Sequence, residues 1–91
     1  MHLEWDDAKD ARCRRERGFS FADVAPALAD PARLVETDDR RDYGEIRRRC
    51  IGAVDGRIVT IVFTTRDATI RIISARRANR AERNRYGQST P

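Results

Sequence analysis

Two runs of the chain carry the clearest hydrophobic pattern. Ile46 to Val54 and Arg57 to Thr65 read as extended segments separated by Asp55-Gly56, a pair suited to a two-residue hairpin turn because both turn positions need positive φ. Within the second run, Ile58-Val59-Thr60-Ile61-Val62-Phe63 is apolar on both faces, as a central strand is. The first run starts with charge on both faces, at Arg47, Arg48 and Arg49, which predicts an exposed edge. Thr69 to Ala75 is the next strand, with Ile70, Ile72 and Ser74 expected on one face and Arg71 and Ile73 on the other. Upstream, His2 to Trp5 is a short apolar-polar alternation. Asp6 then caps a helix over Asp7 to Arg17 that ends at Gly18. Ser20 and Asp23 form the start signal of a second helix, in which Phe21, Val24, Ala25 and Leu28 fall at helical spacing. Pro26 weakens its middle and Asp30-Pro31 stops it. Ala32 to Glu36 reads as a strand, and residues 37–45 as a polar loop. Asn79 and Glu82 fit a capping box that begins a last helix near Arg80, and Gln88 to Pro91 reads as a polar end. The whole, 1–91, is expected to be a single α+β domain. A small, mostly antiparallel sheet carries two N-terminal helices and a short C-terminal helix.

Charge adds a direction to this picture. From Ala68 onward there are six Arg and one acidic residue, whereas residues 1–67 hold thirteen basic and fourteen acidic side chains. The net charge of +4 is therefore made entirely by the last strand and helix, the footprint of a binder of polyanions or of an acidic partner. Nearly all the cations are Arg, which offers planar, bidentate recognition of phosphate and carboxylate. With no run of about 18 apolar residues and no signal-peptide pattern, the chain is expected in the cytosol and not in a membrane. Cys13 and Cys50 have no metal-ligand spacing and read as free thiols. His2 is the sole histidine, too little for a zinc site, so no metal and no cofactor is expected.

The chain has no nucleotide-binding Gly-rich loop, nucleophile elbow or paired Cys and His motif. What it offers is an Arg constellation on the sheet and its edge: Arg66, Arg71, Arg76 and Arg77. Such a set could bind phosphates and stabilise the charge that grows during RNA cleavage. Against it stands the ordinary case, in which each Arg is a solvated or salt-bridged surface residue. Arg71, set within an otherwise apolar strand, departs most from that case. The capping box gives Glu82 a structural role, and Tyr86 lies one turn later on the same helix face.

The order of Glu4-Trp5-Asp6 with Lys9, Gly18 with Ser20-Phe21, Asp30-Pro31, Gly44-Glu45 with Arg47, Ile51-Gly52 and Arg71 to Ala78 with Glu82 and Tyr86 resembles the BrnT family of small toxins from bacterial type II toxin-antitoxin systems. The resemblance implies a RelE-like fold and a metal-independent ribonuclease that arrests growth. It implies neutralisation by a ribbon-helix-helix antitoxin of the BrnA type, with operator DNA bound only through that complex, in which a dimer is one arrangement. Carried over residue by residue, it makes Lys9, Arg66, Arg71 and Arg76 the catalytic candidates, with Tyr86 and Glu82 as second choices; the basic residues Arg77, Arg80 and Arg83 are expected as further RNA contacts. The sequence departs from the family pattern at Glu16-Arg17-Gly18, where Lys-His-Gly is common, and at Cys13 in place of Asn. Hence the alternative of a catalytically weak module that binds an antitoxin as co-repressor of its own operon.

Overall fold

The computed structural model describes residues 2–40 and 42–89; Thr90 and Pro91, the tip of the expected polar end, lie outside the described residues. In chain order the elements are β1 (His2–Trp5), α1 (Asp7–Arg17), α2 (Phe21–Val24), a 3-10 segment (Ala25–Ala29), β2 (Leu34–Asp38), β3 (Arg47–Val54), β4 (Arg57–Arg66), β5 (Thr69–Arg77) and α3 (Arg80–Ser89).

Local chemistry sets most of these boundaries. The Asp6 carboxylate accepts the Lys9 N–H at 3.0 Å, and Gly18 closes α1 at φ 81°, its N–H donating to the Arg14 carbonyl, a conformation that costs glycine nothing. Ser20 and Asp23 exchange bonds of 2.8 and 3.0 Å as a capping box. The helix they start runs one turn and then tightens into the 3-10 segment, because Pro26 lacks the N–H that an α-turn needs. Asp30 next accepts the Ala32 N–H at 2.9 Å through its side chain and the Arg33 N–H at 3.0 Å through its carbonyl. This turn delays β2 by two residues relative to the sequence expectation. Asp55 at φ 50° and Gly56 at φ 75° make the β3–β4 hairpin turn.

The sheet order is β1-β5-β4-β3-β2, with β1 parallel to β5 and every other pair antiparallel. β4 is central, as its pattern requires. Two expectations are corrected. β3 is not an edge: β2 pairs with it from Leu34↔Ile51 to Asp38↔Arg47 and supplies Glu36 and Asp38 as carboxylate partners of Arg49. The alternation assigned to β5 also breaks, because Val62 pairs with Ser74 while Phe63 pairs with Ile72, leaving Ile73 as an extra residue. This bulge resets the faces of the strand. Ile70, Ile72 and Ala75 share one face, and Arg71, Ser74 and Arg76 share the other.

The first face holds the core. α1, α2 and the 3-10 segment pack there, and Cys13, Phe21, Val24, Ala27 and Leu28 meet Cys50, Val59, Ile61, Phe63, Ile72 and Ala75. Trp5 meets Phe21 edge to face at 6.1 Å. The 3-10 segment comes so close to β3 that a Cβ on Gly52 would stand 2.5 Å from the Ala27 carbonyl oxygen. Both cysteines are buried and free. No described helix is long and apolar enough to cross a membrane.

Candidate nucleic-acid interface

The second face of the sheet is polar. One row across it reads Leu34, Ile51, Thr60, Arg76; the next reads Glu36, Arg49, Val62, Ser74. Beyond these, Asp38 opposes Arg47, Thr64 opposes Arg71, and Arg71 opposes Glu4 on β1. α3 covers one end, over Ile51, which is fully buried. Its mean composition is too polar for apolar docking, and three side-chain links do the holding. Glu82 accepts two bonds from Arg76 at 2.7 and 3.0 Å. Arg85 donates twice to Glu36, at 2.7 and 3.0 Å. The Tyr86 hydroxyl donates to Asp30 Oδ2 at 2.7 Å, and the same oxygen accepts the Ala53 N–H.

Glu82 also completes the expected capping box, accepting the Asn79 N–H at 2.9 Å while its own N–H donates to Asn79 Oδ1 at 2.8 Å. The residue is 3 % exposed. Burial alone would push its carboxyl up, but the Arg76 guanidinium and the Asn79 N–H outweigh that, and the Thr60 hydroxyl adds to them, holding it at about 2. That hydroxyl is buried without a hydrogen bond of normal geometry among the described residues.

Nearly every Arg on this face has a carboxylate nearby, so separation decides which are committed. Arg76–Glu82, Arg85–Glu36 and Arg40–Asp38 reach 2.7 Å, and Arg49–Asp38 is 3.2 Å. These are charge-assisted hydrogen bonds. Hydrogen bonds from Arg85 and Arg40 hold Glu36 and Asp38 below the ordinary carboxylate range, against burial. Arg71–Glu4 at 3.7 Å, Arg66–Glu45 at 3.6 Å and Arg47–Glu45 at 3.6 Å are too long to be hydrogen bonds. The three loosely held cations all sit at the Thr64 end, which α3 leaves uncovered. There the Tyr43 ring lies 3.9 Å from the Arg47 guanidinium, and Arg47 Nε is buried without a hydrogen-bond partner among the described residues. Arg47 is a member of this group that the sequence reading placed on an edge strand; its signal was the resemblance at Gly44-Glu45, without a role attached.

The sequence candidates therefore divide. Arg66, Arg71 and Arg76 share this face of the sheet, Arg66 and Arg71 at its uncovered end and Arg76 at the end held by Glu82 of α3, and the bulge is what places Arg71 and Arg76 on one face. About 13 Å separates them along β5, given four ladder steps. Tyr86 is engaged with Asp30; that hydrogen bond, aided by burial, pushes its phenol up, the direction that makes a weaker acid and leaves less phenolate near neutral pH. Lys9 is exposed on α1 and lies beside Ile73 and Ser74, off the open face. Arg77 pairs with Val59 on the helix-bearing side. Arg80 and Arg83 are exposed on α3, where Arg83 donates to the Ala78 carbonyl at 2.7 Å. Arg17, at the position where the family commonly has His, lines the same groove as Lys9 and not the Arg71 face. Among the described residues, no three His, Cys, Asp or Glu side chains come together as a metal ion would require.

An uncovered sheet face with three exchangeable guanidiniums is suited to binding phosphate. A family model described as "Ribonuclease toxin, BrnT, of type II toxin-antitoxin system" matches residues 5–82. No curated protein gives a match. The match runs from Trp5, at the end of β1, to Glu82, which grips Arg76, and on this evidence the chain belongs to the BrnT family of type II toxin-antitoxin toxins.

Proposed function

We propose that this chain cleaves RNA on the open face of its sheet, through attack of a ribose 2′-hydroxyl on the adjacent phosphate, and that growth arrest in the cytosol follows from lost translation. The 2′-oxygen bonds to phosphorus as the bond from phosphorus to the 5′-oxygen breaks. The 2′-hydroxyl gives up its proton, the departing oxygen takes one, and the products are a 2′,3′-cyclic phosphate and a 5′-hydroxyl. Because the substrate carries the nucleophile, the protein's work is to align the two groups and to stabilise negative charge on phosphate. The reading calls for no metal and no cofactor.

The observation that carries this reading is the bulge at Ile73, which puts Arg71 and Arg76 on one face. Arg71 and Arg66 exchange their distant carboxylates, Glu4 and Glu45, for phosphate oxygens. Arg76 stays in the grip of Glu82 and offers its remaining N–H groups from a fixed position. An antitoxin of the BrnA type neutralises the protein, and operator DNA is bound only through that complex. Arg17 lies off this face, so its replacing a common His leaves the Arg71 site intact.

The test is incubation of the purified protein with RNA in excess EDTA. Fragments with cyclic phosphate ends are expected, with Arg71→Ala slower by about a hundred- to a thousandfold. No cleavage by the wild type, or equal cleavage by Arg71→Ala and Arg66→Ala, would sink the proposal. The second reading, a non-catalytic antitoxin-binding co-repressor, is favoured by the carboxylate beside each candidate Arg on the face. It requires undiminished antitoxin binding with no growth arrest on expression.

A further inference from the structure

Beside the open face runs a groove of about 290 Å³, between α1 and the part of β5 that extends past β1. Its floor is apolar, made by Cys13, Ile73 and Ala75, and its rim carries Lys9, Arg12 and Arg17. Ile73, the extra residue of the bulge, lines it beside Ser74. Ser74 is shared: it lines the groove and also stands on the open face between Arg71 and Arg76, about 7 Å along the strand from each.

We infer that this groove is a nucleoside subsite of the RNA-cleaving site, taking a base of the strand on its apolar floor while the rim cations hold the phosphates on either side of it. The inference rests on the ribonuclease reading. Charge complementarity selects the occupant, since three cations face one acid, Glu16, which is bonded to Arg12 at 3.1 Å. A peptide strand added to the edge of β5 fits less well. The Ala75 carbonyl there already accepts the Cys13 thiol at 3.6 Å, and the Arg77 carbonyl accepts Arg76 Nη1 at 3.3 Å.

The experiment titrates the ¹⁵N-labelled full chain with a short RNA methylated at every 2′-oxygen, which the proposed attack cannot cleave, and with the same backbone lacking bases. Amide shifts are expected at Ile73, Ser74 and Ala75 only with the base-bearing strand, and along Lys9 to Arg17 with both strands but larger with that one. Lys9→Ala with Arg17→Ala should flatten the slope of log affinity against log salt by about 1.4, as loss of two single-strand phosphate contacts requires. Shifts confined to the Arg71 and Arg76 face, or equal for the abasic strand, would overturn the groove and leave the ribonuclease reading standing. No binding of either strand would overturn both. Loss of antitoxin binding in the double variant with RNA binding unchanged would mark the groove as a protein-docking surface, against the inference.

Discussion

Glu82→Gln tests whether α3 is held by charge. The carboxylate that it removes is 3 % exposed, clamps Arg76 through two bonds and caps its own helix. Its fall from an ordinary 4.5 to about 2 corresponds to about 3 kcal/mol of preference for the charged form. Gln keeps the shape and one acceptor but leaves the half-buried Arg76 without a counter-charge, so a loss of about 3 kcal/mol is expected at neutral pH. With a urea slope of about 1.5 kcal/mol/M for a chain of this size, the unfolding midpoint drops by about 2 M. The pH dependence gives the sharper readout. A carboxyl whose folded value is depressed contributes stability that is full above its unfolded value, and this is lost as pH falls through the folded one. The gap between wild type and Glu82→Gln should therefore be constant above about pH 5 and close between 4.5 and about 2. A gap under about 0.5 kcal/mol, or one independent of pH across that window, would refute the assignment of this stability to the ionised carboxylate.

Other expectations follow from single contacts. Gly52→Ala forces a methyl to within 2.5 Å of the Ala27 backbone oxygen and should cost about 3 kcal/mol, seen as a lower melting temperature; an unchanged melt would mean the 3-10 segment yields freely. Tyr86→Phe deletes the hydrogen bond to Asp30 and should cost about 1.5 kcal/mol while RNA cleavage continues at the wild-type rate. A large fall in rate with little loss of stability would instead return Tyr86 to the chemistry. Burial pushes the Cys50 thiol up to about 11 and raises Cys13 as well. Both should resist a thiol reagent in the native protein and react in denaturant; rapid native labelling of Cys50 would contradict the packing of β3 against Ala27.

What the sequence determined by itself is whatever depends on neighbours a few positions away. Asp6 and Gly18 bound α1, Ser20 and Asp23 start α2, Asp55-Gly56 turns the hairpin, and Asn79 with Glu82 starts α3. Each is a local backbone requirement met by a particular residue type. The run in β4 that is apolar on both faces likewise marked the centre of the sheet. The tertiary structure decided the composition of the site. Alternation counts faces correctly only along an unbroken ladder, and the pairing of β5 with Val62 and Phe63 inserts Ile73 and brings Arg76 onto the face of Arg71. Nor could the chain say which arginines are spent. Arg85 meets Glu36 and Arg49 meets Asp38 at hydrogen-bonding distance, whereas Arg71 stands off Glu4. Coulomb attraction and hydrogen-bond geometry depend on separation in space, which strand order and register set and sequence spacing does not.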